Sequence, residues 1–237
     1  MQFRFAFLGL FLAAAAVSMA AESSNEGFEP LFDGKSLKGW ETPDPSYWSI
    51  EDDAITAKIT PEHPCTVNQY LIWEGGTLGD FELKLTFRMI SDEPVNGGFQ
   101  FRSRIIEGHD VAGYQVDNDT REPWLVRLYD EFGRHTLALR GQRTLFDKAG
   151  VAMTTDIPSA QGEPKFKLSE WHEYHLICKG TVLTLKVNGE LMAEVEDHDP
   201  NHQDLYGLLG LQLHSGPPMT VQFKNILLKR LDEKPLK

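Results

Sequence analysis

Cysteine is nearly absent from this chain, since only Cys65 and Cys178 occur among 237 residues. Two cysteines are too few for a cysteine-based zinc site, and neither has the neighbours expected of a catalytic thiol. Their even number permits one disulfide in an exported protein. Cys178 lies in a strand-like stretch, where a buried free thiol is the alternative, so the sequence leaves both states open.

Long apolar runs are missing beyond the N-terminus. Arg4 precedes an apolar run at 5–17 and small residues up to Ala21, which is the pattern of a secretory signal peptide. This run is too short to span a bilayer, and no other stretch approaches that length. We predict a signal peptide at 1–20, a secreted or periplasmic protein after cleavage, and no membrane insertion.

Positive charge is scarce. The chain has 23 basic against 35 acidic residues, and loss of the signal peptide removes one arginine, which leaves 22 against 35 and a net charge of −13. Such an acidic protein is a poor partner for nucleic acids and anionic membranes, and we predict neither. The remaining length fits one all-β domain, so we place a polar leader at 21–27, a single domain at 28–232 and a tail at 233–237.

Helical periodicity over three or more turns is absent from every segment. Strand-like alternation is present instead: the segment 81–89 places five apolar side chains on one face, and 182–187 repeats the pattern. Asn188-Gly189 follows and predicts a type I′ hairpin, since both central positions of that turn need positive φ. We therefore predict an all-β fold of two packed antiparallel sheets, a sandwich or jelly roll.

Three segments fit this pattern less well. We predict one short helix at residues 145–152, and we predict that the polar stretch 140–170 is a long loop over the surface. The acidic stretch 194–202 is rich in oxygen donors, but it lacks the glycine and the ligand spacing of a calcium loop. We therefore predict an exposed acidic loop there, with no metal site and no cofactor.

Two common catalytic signatures are missing. The chain has no Glu-x-Asp-x-x-Glu run, which argues against a retaining glycanase that presents two carboxylates from one strand. It has no Gly-x-Ser-x-Gly elbow either, which removes the usual signal of a serine esterase. Any chemistry must come from another arrangement.

The chain does contain one local pattern three times, with glycine, glutamine and an ionisable residue at alternate positions. Because alternate residues of a strand share a face, the intervening apolar residues would enter a core and the polar set would share the opposite surface. Glycine there is expected to leave room for a ligand near the backbone. These polar groups suit a hydroxyl-rich ligand, although the wet side of an antiparallel sheet is the alternative. The three segments are 98–102, 113–117 and 210–214.

Short motifs spread over nearly the whole chain carry a family resemblance in their order and spacing. They lie at 28–40, 80–83, 87–88, 96–102, 113–114, 187–189, 210–212 and 223–226. Together they resemble the 3-keto-disaccharide hydrolase family from about Phe28 to Leu231. The resemblance implies a concanavalin-like jelly roll, an exported bacterial protein, and glycosidase activity on carbohydrates that are oxidised at C3.

The chemistry implied by this resemblance is an elimination. A ketone at C3 acidifies the hydrogen on C2, so a base can remove it and the glycosidic oxygen can leave. Water can then add back, which gives net hydrolysis. Such a site needs a base, an acid for the leaving oxygen and a group that stabilises the enolate oxygen.

Three ionisable residues of the repeated pattern are the predicted catalytic residues. His214 is assigned to proton transfer because histidine titrates near neutral pH, and a structural strand histidine is the alternative. Asp117 is the partner carboxylate or the base, unless it only ends a strand before a turn. Arg102 polarises the C3 ketone or clamps a hydroxyl, unless it is simply paired with an acid. We expect all three residues in one groove.

The predicted substrate-binding residues fall in two groups. Gln100, Gln115 and Gln212 form the hydrogen-bonding floor of the groove, and Trp124 stacks on a sugar ring. The segment 128–134 is similar to one beside the same groove in part of the family, and a charged loop is the alternative. Its useful groups are Tyr129, Asp130, Glu131 and Arg134.

One position departs from the family's commoner pattern. Many relatives have Tyr-Glu-x-Gln where this chain has Tyr114-Gln115-Val-Asp117, so a role for glutamate at position 115 cannot be transferred. Asp117 substitutes for it, or the chain acts on different sugars or merely binds them. The rival function is therefore a non-catalytic carbohydrate-binding jelly roll. The sequence sets no oligomeric state.

Overall fold

The structure, a computed structural model, describes residues 25–162 and 166–231. The predicted signal peptide and C-terminal tail lie outside these residues, as does most of the predicted leader. No helix in the described part of the chain has the length and apolar character needed to cross a membrane.

The described residues form seventeen strands and three single-turn 3-10 helices. The strands are β1 Glu29–Pro30, β2 Trp40–Glu41, β3 Trp48–Glu51, β4 Ala54–Ile59, β5 Gln69–Trp73, β6 Phe81–Ile90, β7 Asn96–Ile105, β8 Val111–Asp119, β9 Arg127–Glu131, β10 His135–Ala138, β11 Gln142–Phe146, β12 Ala152–Asp156, β13 His172–Lys179, β14 Val182–Val187, β15 Glu190–Asp197, β16 Leu208–Leu213 and β17 Met219–Arg230. The 3-10 helices are Pro45–Tyr47, Glu107–His109 and Pro158–Ala160.

The strands form two sheets. The ten-stranded sheet has the order β12-β11-β15-β14-β13-β6-β17-β4-β3, with β1 paired to β17. The seven-stranded sheet has the order β10-β9-β8-β7-β16-β5-β2. All neighbours within the described sheets are antiparallel apart from β11 and β15. This arrangement confirms the predicted two-sheet antiparallel sandwich.

The core lies between the two sheets and follows the alternation of the strands. All five apolar residues at alternate positions of β6 are buried. Phe99 of β7 meets Tyr174 of β13 edge to face, with ring centroids 6.0 Å apart, and Phe101 meets Phe81 at 6.5 Å. Burial of such a ring stabilises the fold by about 2–3 kcal/mol. The inter-sheet faces of β6, β7, β8 and β13 therefore hold the sandwich together.

The region 140–170 differs from the sequence prediction. The short helix predicted at 145–152 is absent, because these residues include the end of β11 and the turn before β12. The stretch is not a simple surface excursion either, since β11 lies inside the ten-stranded sheet, between β12 and β15. Phe146 and Thr144 of β11 are buried. Parallel pairing of β11 with the distant β15 has no local sequence signal.

The hairpin predicted at Asn188-Gly189 is confirmed. Both residues have positive φ, 51° and 79°, between β14 and β15. Cys65 and Cys178 are both free and buried, so the disulfide alternative is not realised. Cys65 donates its thiol to the Val67 carbonyl oxygen at 3.0 Å, and burial raises the pKa of Cys178 to about 12. Both thiols are inert packing groups.

Candidate functional site

Eight polar side chains share the outer face of the seven-stranded sheet. Strand register aligns Gln100 with Gln115 and Gln115 with Tyr129 in one row across β7, β8 and β9. The next row aligns Tyr70 of β5 with Gln212 of β16, and Asp117 of β8 with Arg127 of β9. The intervening residues of these strands, such as Phe99, Val116 and Leu211, belong to the core. We call this surface the glutamine face: Tyr70, Gln100, Gln115, Asp117, Arg127, Tyr129, Glu131 and Gln212.

The three glutamines are buried although they point away from the core. Gln115 Nε2 donates to Gln212 Oε1 at 2.8 Å, and Gln212 Nε2 donates to Tyr70 Oη at 3.4 Å. Gln100 is 0% exposed, and its Nε2 has no hydrogen-bond partner among the described residues. A buried amide without a partner costs about 1–3 kcal/mol. This face therefore contains one buried amide donor whose hydrogen-bonding capacity is unused.

The glycines of the repeated pattern serve strand packing, which corrects the expectation that they leave room for a ligand. A Cβ on Gly98 would lie 2.1 Å from the Val116 carbonyl oxygen, and one on Gly210 would lie 2.8 Å from Ile72 Cδ1. A Cβ on Gly113 would lie 2.8 Å from Ser103 Cα. The space beside each glycine is already filled by a neighbouring strand.

Asp117 is held by two partners on the glutamine face. Arg127 donates through Nε to Asp117 Oδ2 at 2.5 Å, and Asn96 donates to Oδ1 at 2.7 Å. Burial raises the pKa of the Asp117 carboxyl, and the charge and hydrogen bonds of Arg127 oppose the shift. The pair fixes a guanidinium in a place where water is largely excluded.

Glu131 is the carboxyl group best suited to proton transfer on this face. It ends β9 opposite Gly113 and is half-buried. Burial, together with the nearby carboxylates of Asp117 and Asp110, raises its pKa from 4.5 to about 7. A base with a pKa near the working pH is the form that general acid–base catalysis favours.

Tyr129 and His135 form a hydrogen-bonded pair beside Glu131. Tyr129 Oη lies 2.9 Å from His135 Nδ1, and the Arg127 guanidinium stacks 4.5 Å from the Tyr129 ring centre. Burial and the charge of Glu131 raise the pKa of the Tyr129 phenol. The phenol therefore keeps its proton at neutral pH and can donate it.

Trp124 and His214 lie at the other end of the same sheet face. Trp124 is 38% exposed, and the guanidinium groups of Arg121 and Arg127 lie 5.7 and 5.9 Å from its ring centre. His214 follows β16, and its Nδ1 hydrogen-bonds to the Ser215 carbonyl oxygen at 2.7 Å. His214 lines a cavity of about 190 Å³ with Asn96 and Arg121. Its assigned proton transfer stays a prediction.

Arg102 does not face the groove, which corrects its predicted placement. A bulge shifts the register between Phe101 and Arg104, and Arg102 takes a positive φ of 46°. Its guanidinium is 1% exposed and donates to the carbonyl oxygens of Gly79 and Gly180 and to Asp80 Oδ1. Arg102 therefore ties the two sheets together, and the predicted convergence with Asp117 and His214 does not occur.

Asp130 and Arg134 also lie away from the glutamine face. They belong to a buried charge cluster between the sheets, which we define as Asp130, Arg134, Asp197 and Asp199. Arg134 binds Asp130 Oδ2 at 3.3 Å and also pairs with Asp197, which accepts further hydrogen bonds from the Tyr114 hydroxyl and the Asp199 backbone N–H. The acidic stretch 194–202 is therefore not simply exposed, because its aspartates at 197 and 199 are buried against Arg134.

Sequence reasoning missed three residues of this region. Arg127 lies on the polar side because it is two residues from Tyr129, and Tyr70 does so because its neighbour Leu71 enters the core. The sequence signal for Arg127 was the alternation of residues 127–131. Interpreting 128–134 as one segment concealed it. His135 follows a tight turn and has a φ of 68°, so its position had no sequence signal.

Comparison with known families gives one match over most of the chain. The model of a family described as 3-keto-alpha-glucoside-1,2-lyase-like domain matches residues 27–229. This match confirms the resemblance that the sequence motifs carry. No curated protein matches the chain.

Solved structures share the fold at low sequence identity. A candidate glycosyl hydrolase from Parabacteroides distasonis is 19% identical with a TM-score of 0.59, over 89% of this chain and 97% of that one. A Bacillus subtilis protein of unknown function with a galectin-like fold is 14% identical, with a TM-score of 0.58 and coverages of 86% and 94%. The carbohydrate-binding module CBM66 from Bacillus subtilis is 15% identical, with a TM-score of 0.53 and coverages of 82% and 98%. These likenesses confirm the jelly-roll class.

Proposed function

Because the chain belongs to the family of 3-keto-alpha-glucoside-1,2-lyase-like domains, we propose that it cleaves the glycosidic bond of 3-keto-glycosides, including 3-keto-disaccharides. The reaction is removal of the C2 proton, elimination and hydration. The observation that supports this proposal best is the carboxyl of Glu131, whose pKa is raised to about 7 on the same face as a phenol and a guanidinium.

The base in this proposal is Glu131. Its carboxylate takes the proton from C2, and the electron pair of that C–H bond enters the enolate of the C3 ketone. Arg127, held by Asp117 through hydrogen bonds of 2.5 Å, is the positive group for the enolate oxygen. A fixed charge in a site that excludes water stabilises a developing anion without reorganisation.

The acid in this proposal is the Tyr129 phenol, with His135 behind it. Collapse of the enolate forms the C1–C2 double bond and breaks the bond from C1 to the glycosidic oxygen. That oxygen takes the phenol proton, and His135 at 2.9 Å compensates the phenolate that remains. Water then adds across C1 and C2: its hydroxyl goes to C1, its other proton restores the Tyr129 phenol, and Glu131 returns the proton to C2, which gives net hydrolysis and regenerates both residues.

The remaining predicted residues bind the sugar. Gln100, Gln115 and Gln212 supply amide donors and acceptors at the floor of the face, where Gln100 Nε2 has no hydrogen-bond partner among the described residues. Trp124 supplies an aromatic surface for a ring. Alternate positions along β8 are about 7 Å apart, so the distance from Gly113 to Asp119 is about 20 Å and spans more than one hexose.

The test is release of sugar from a 3-keto-disaccharide and from its unoxidised parent. We expect release only from the oxidised sugar, and Glu131→Gln is expected to lower kcat about 10²- to 10⁴-fold. The matched control is Glu190→Gln, an exposed glutamate in the β14–β15 hairpin. Binding of the unoxidised parent without release from the oxidised sugar would favour the rival function, a carbohydrate-binding module.

Two further variants test the sequence-based assignments. Asp117→Asn weakens the anchor of Arg127, and His214→Ala removes the imidazole at the far end of the face. We expect the first to lower kcat and the second to alter mainly KM. Full activity in both variants and in Glu131→Gln would reject the site but leave the enzyme class standing.

We also propose that the mature protein is secreted or periplasmic. The support is the apolar run at 5–17 with its small-residue end. Expression of the full chain in a Gram-negative bacterium, fractionation and intact-mass measurement test this. We expect a periplasmic or extracellular product that lacks residues 1–20, whereas a cytoplasmic product of full mass would contradict the proposal.

A further inference from the structure

A second polar cavity lies at the end of the sandwich, beside the end of β7 and the loop 200–207. Its volume is about 690 Å³, and its walls include Arg104, Gln203, Asp204, Leu205 and Tyr206. None of these residues belongs to the glutamine face. The cavity is large enough for one or two sugar rings.

The floor of this cavity is fixed by the core. The backbone N–H of Asp204 donates to Tyr114 Oη at 3.1 Å. From below, the buried guanidinium of Arg102 donates to the Asp204 carbonyl oxygen at 3.5 Å while it holds the Gly79 carbonyl at 2.9 Å. Asp204 is therefore presented by a rigid support, which lowers the entropic cost of binding a ligand.

The polar groups of the cavity have donors and acceptors that the described residues themselves do not fully use. Arg104 contacts Asp204 only through Nη1 to Oδ1 at 3.5 Å, and the Arg104 side chain is 63% exposed. Gln203 Oε1 is buried without a hydrogen-bond partner among the described residues. Burial raises the pKa of Asp204 to about 6, with Arg104 opposing the shift. At neutral pH the cavity thus presents a poorly hydrated carboxylate, an amide oxygen and a guanidinium.

An apolar surface stands next to these polar groups. Tyr206 is 63% exposed and Leu205 is 41% exposed. Both residues line the cavity. An exposed aromatic side chain beside planar hydrogen-bonding groups matches a pyranose, which has an apolar C–H surface and a rim of hydroxyls.

We propose that this cavity is a second carbohydrate site, which binds a neutral glycan chain with Tyr206 against a sugar ring and with Arg104 and Asp204 on adjacent hydroxyls. A neutral ligand fits better than an anionic one, because Asp204 lies near the acidic groups of Asp130 and Asp197. The site would hold a polysaccharide near the glutamine face without taking part in bond cleavage. This inference is independent of the proposed reaction.

The test measures glycan binding by isothermal titration calorimetry. The probes are unoxidised maltohexaose, cellohexaose and laminarihexaose, and the proteins are the mature chain and the variants Tyr206→Ala, Arg104→Gln and Trp124→Ala. The matched control is Met153→Ala, since Met153 is an apolar residue on the edge strand β12 that is 54% exposed, against 63% for Tyr206. Turnover of a 3-keto-disaccharide is followed in parallel.

We expect one of the probes to bind with an affinity that Tyr206→Ala and Arg104→Gln each lower at least tenfold, and that Trp124→Ala and Met153→Ala leave unchanged. Disaccharide turnover should not change in Tyr206→Ala. Binding that Trp124→Ala abolishes and Tyr206→Ala preserves would overturn the proposal, as would absence of saturable binding for all three probes. If turnover fails in every protein while the Tyr206-dependent binding is present, the reaction is wrong and this site stands.

Discussion

The glutamine face and the buried charge cluster contain the same kinds of residue and use them in opposite ways. Both contain an arginine and carboxylates, and in both a tyrosine lies within a few ångströms of them. In the cluster, Arg134 binds Asp130 and Asp197, and Asp197 also accepts from Tyr114. On the glutamine face, Gln100 Nε2 lacks a partner within the described part of the chain, and burial and nearby carboxylates raise the pKa of Glu131 to about 7.

The difference shows what distinguishes a structural ion network from a reactive one. Charges that satisfy one another between two sheets stabilise a unique packing and have nothing left for a ligand. Groups whose hydrogen bonds or charge are left unbalanced at a recessed surface are available for binding and proton transfer. The two regions meet in one short segment, because Tyr129 and Glu131 face outward while Asp130 faces the cluster.

The largest expected effect is on stability, from Arg134→Met. This change leaves the buried carboxylates of Asp130 and Asp197 without the Arg134 guanidinium, which costs about 3–5 kcal/mol and lowers Tm by about 10 °C. Urea and thermal unfolding measure the loss. Arg143→Met is the control, since its half-exposed pair with Glu194 contributes less than about 1 kcal/mol. Equal stability of both variants would remove the distinction between the two regions.

Two tyrosine variants sharpen the same distinction. Tyr129→Phe removes the hydroxyl next to His135 and is expected to lower kcat about 10- to 100-fold with little change in Tm. Tyr174→Phe removes the hydroxyl that donates to Asn118 in the core at 2.7 Å. It is expected to lower stability by about 1 kcal/mol and to leave kcat unchanged. If Tyr129→Phe instead lowered stability without lowering kcat, and Tyr174→Phe lowered kcat, Tyr129 would not be the acid.

The pH dependence of Glu131 links activity to stability. Its pKa is raised from 4.5 to about 7, so folding favours the protonated form, and this contribution is lost as pH rises through about 7. Glu131→Gln should therefore gain stability relative to the parent between pH 5 and 7, by about 1 kcal/mol after allowance for partial exposure. Thermal unfolding from pH 4 to 9 measures the gain.

Over the same pH range the parent's kcat/KM should rise and level off above pH 7, because the base must be ionised. Chemical denaturation and initial rates in one buffer series compare the two curves. If Glu131→Gln gains stability but the kcat/KM of the parent does not rise toward pH 7, Glu131 is buried but is not the base.

The smallest expected effect concerns Trp124. Trp124→Ala should raise KM several-fold with kcat and Tm almost unchanged, because the side chain is 38% exposed and supplies only a stacking surface. Trp40, which is 6% exposed in the core, provides the contrast. Trp40→Ala should lower stability by about 3–5 kcal/mol. A large loss of Tm in Trp124→Ala would assign this residue to the core.

Alternation made much of the fold predictable, and register decided the rest. The apolar face of β6, the hairpin at Asn188-Gly189 and the shared face of the three glutamines all follow from period-two patterns. Arg102 breaks that period at a bulge, which depends on the neighbouring strand. The pKa of Glu131 depends on burial and on carboxylates from β8 and from Asp110, and no local pattern reports these.

The alternation of β8 and β9 also bears on how this protein can change. Odd-numbered positions from Gln115 to Asp117 and from Arg127 to Glu131 face outward, and their even-numbered neighbours pack between the sheets. A library randomised only at the odd positions would therefore change the polar face while the apolar residues between the sheets stay as they are. One inserted residue in β9 would exchange the two sets at once. In β8 and β9, substitutions that alter the polar face and substitutions that alter the core therefore fall at alternate residues.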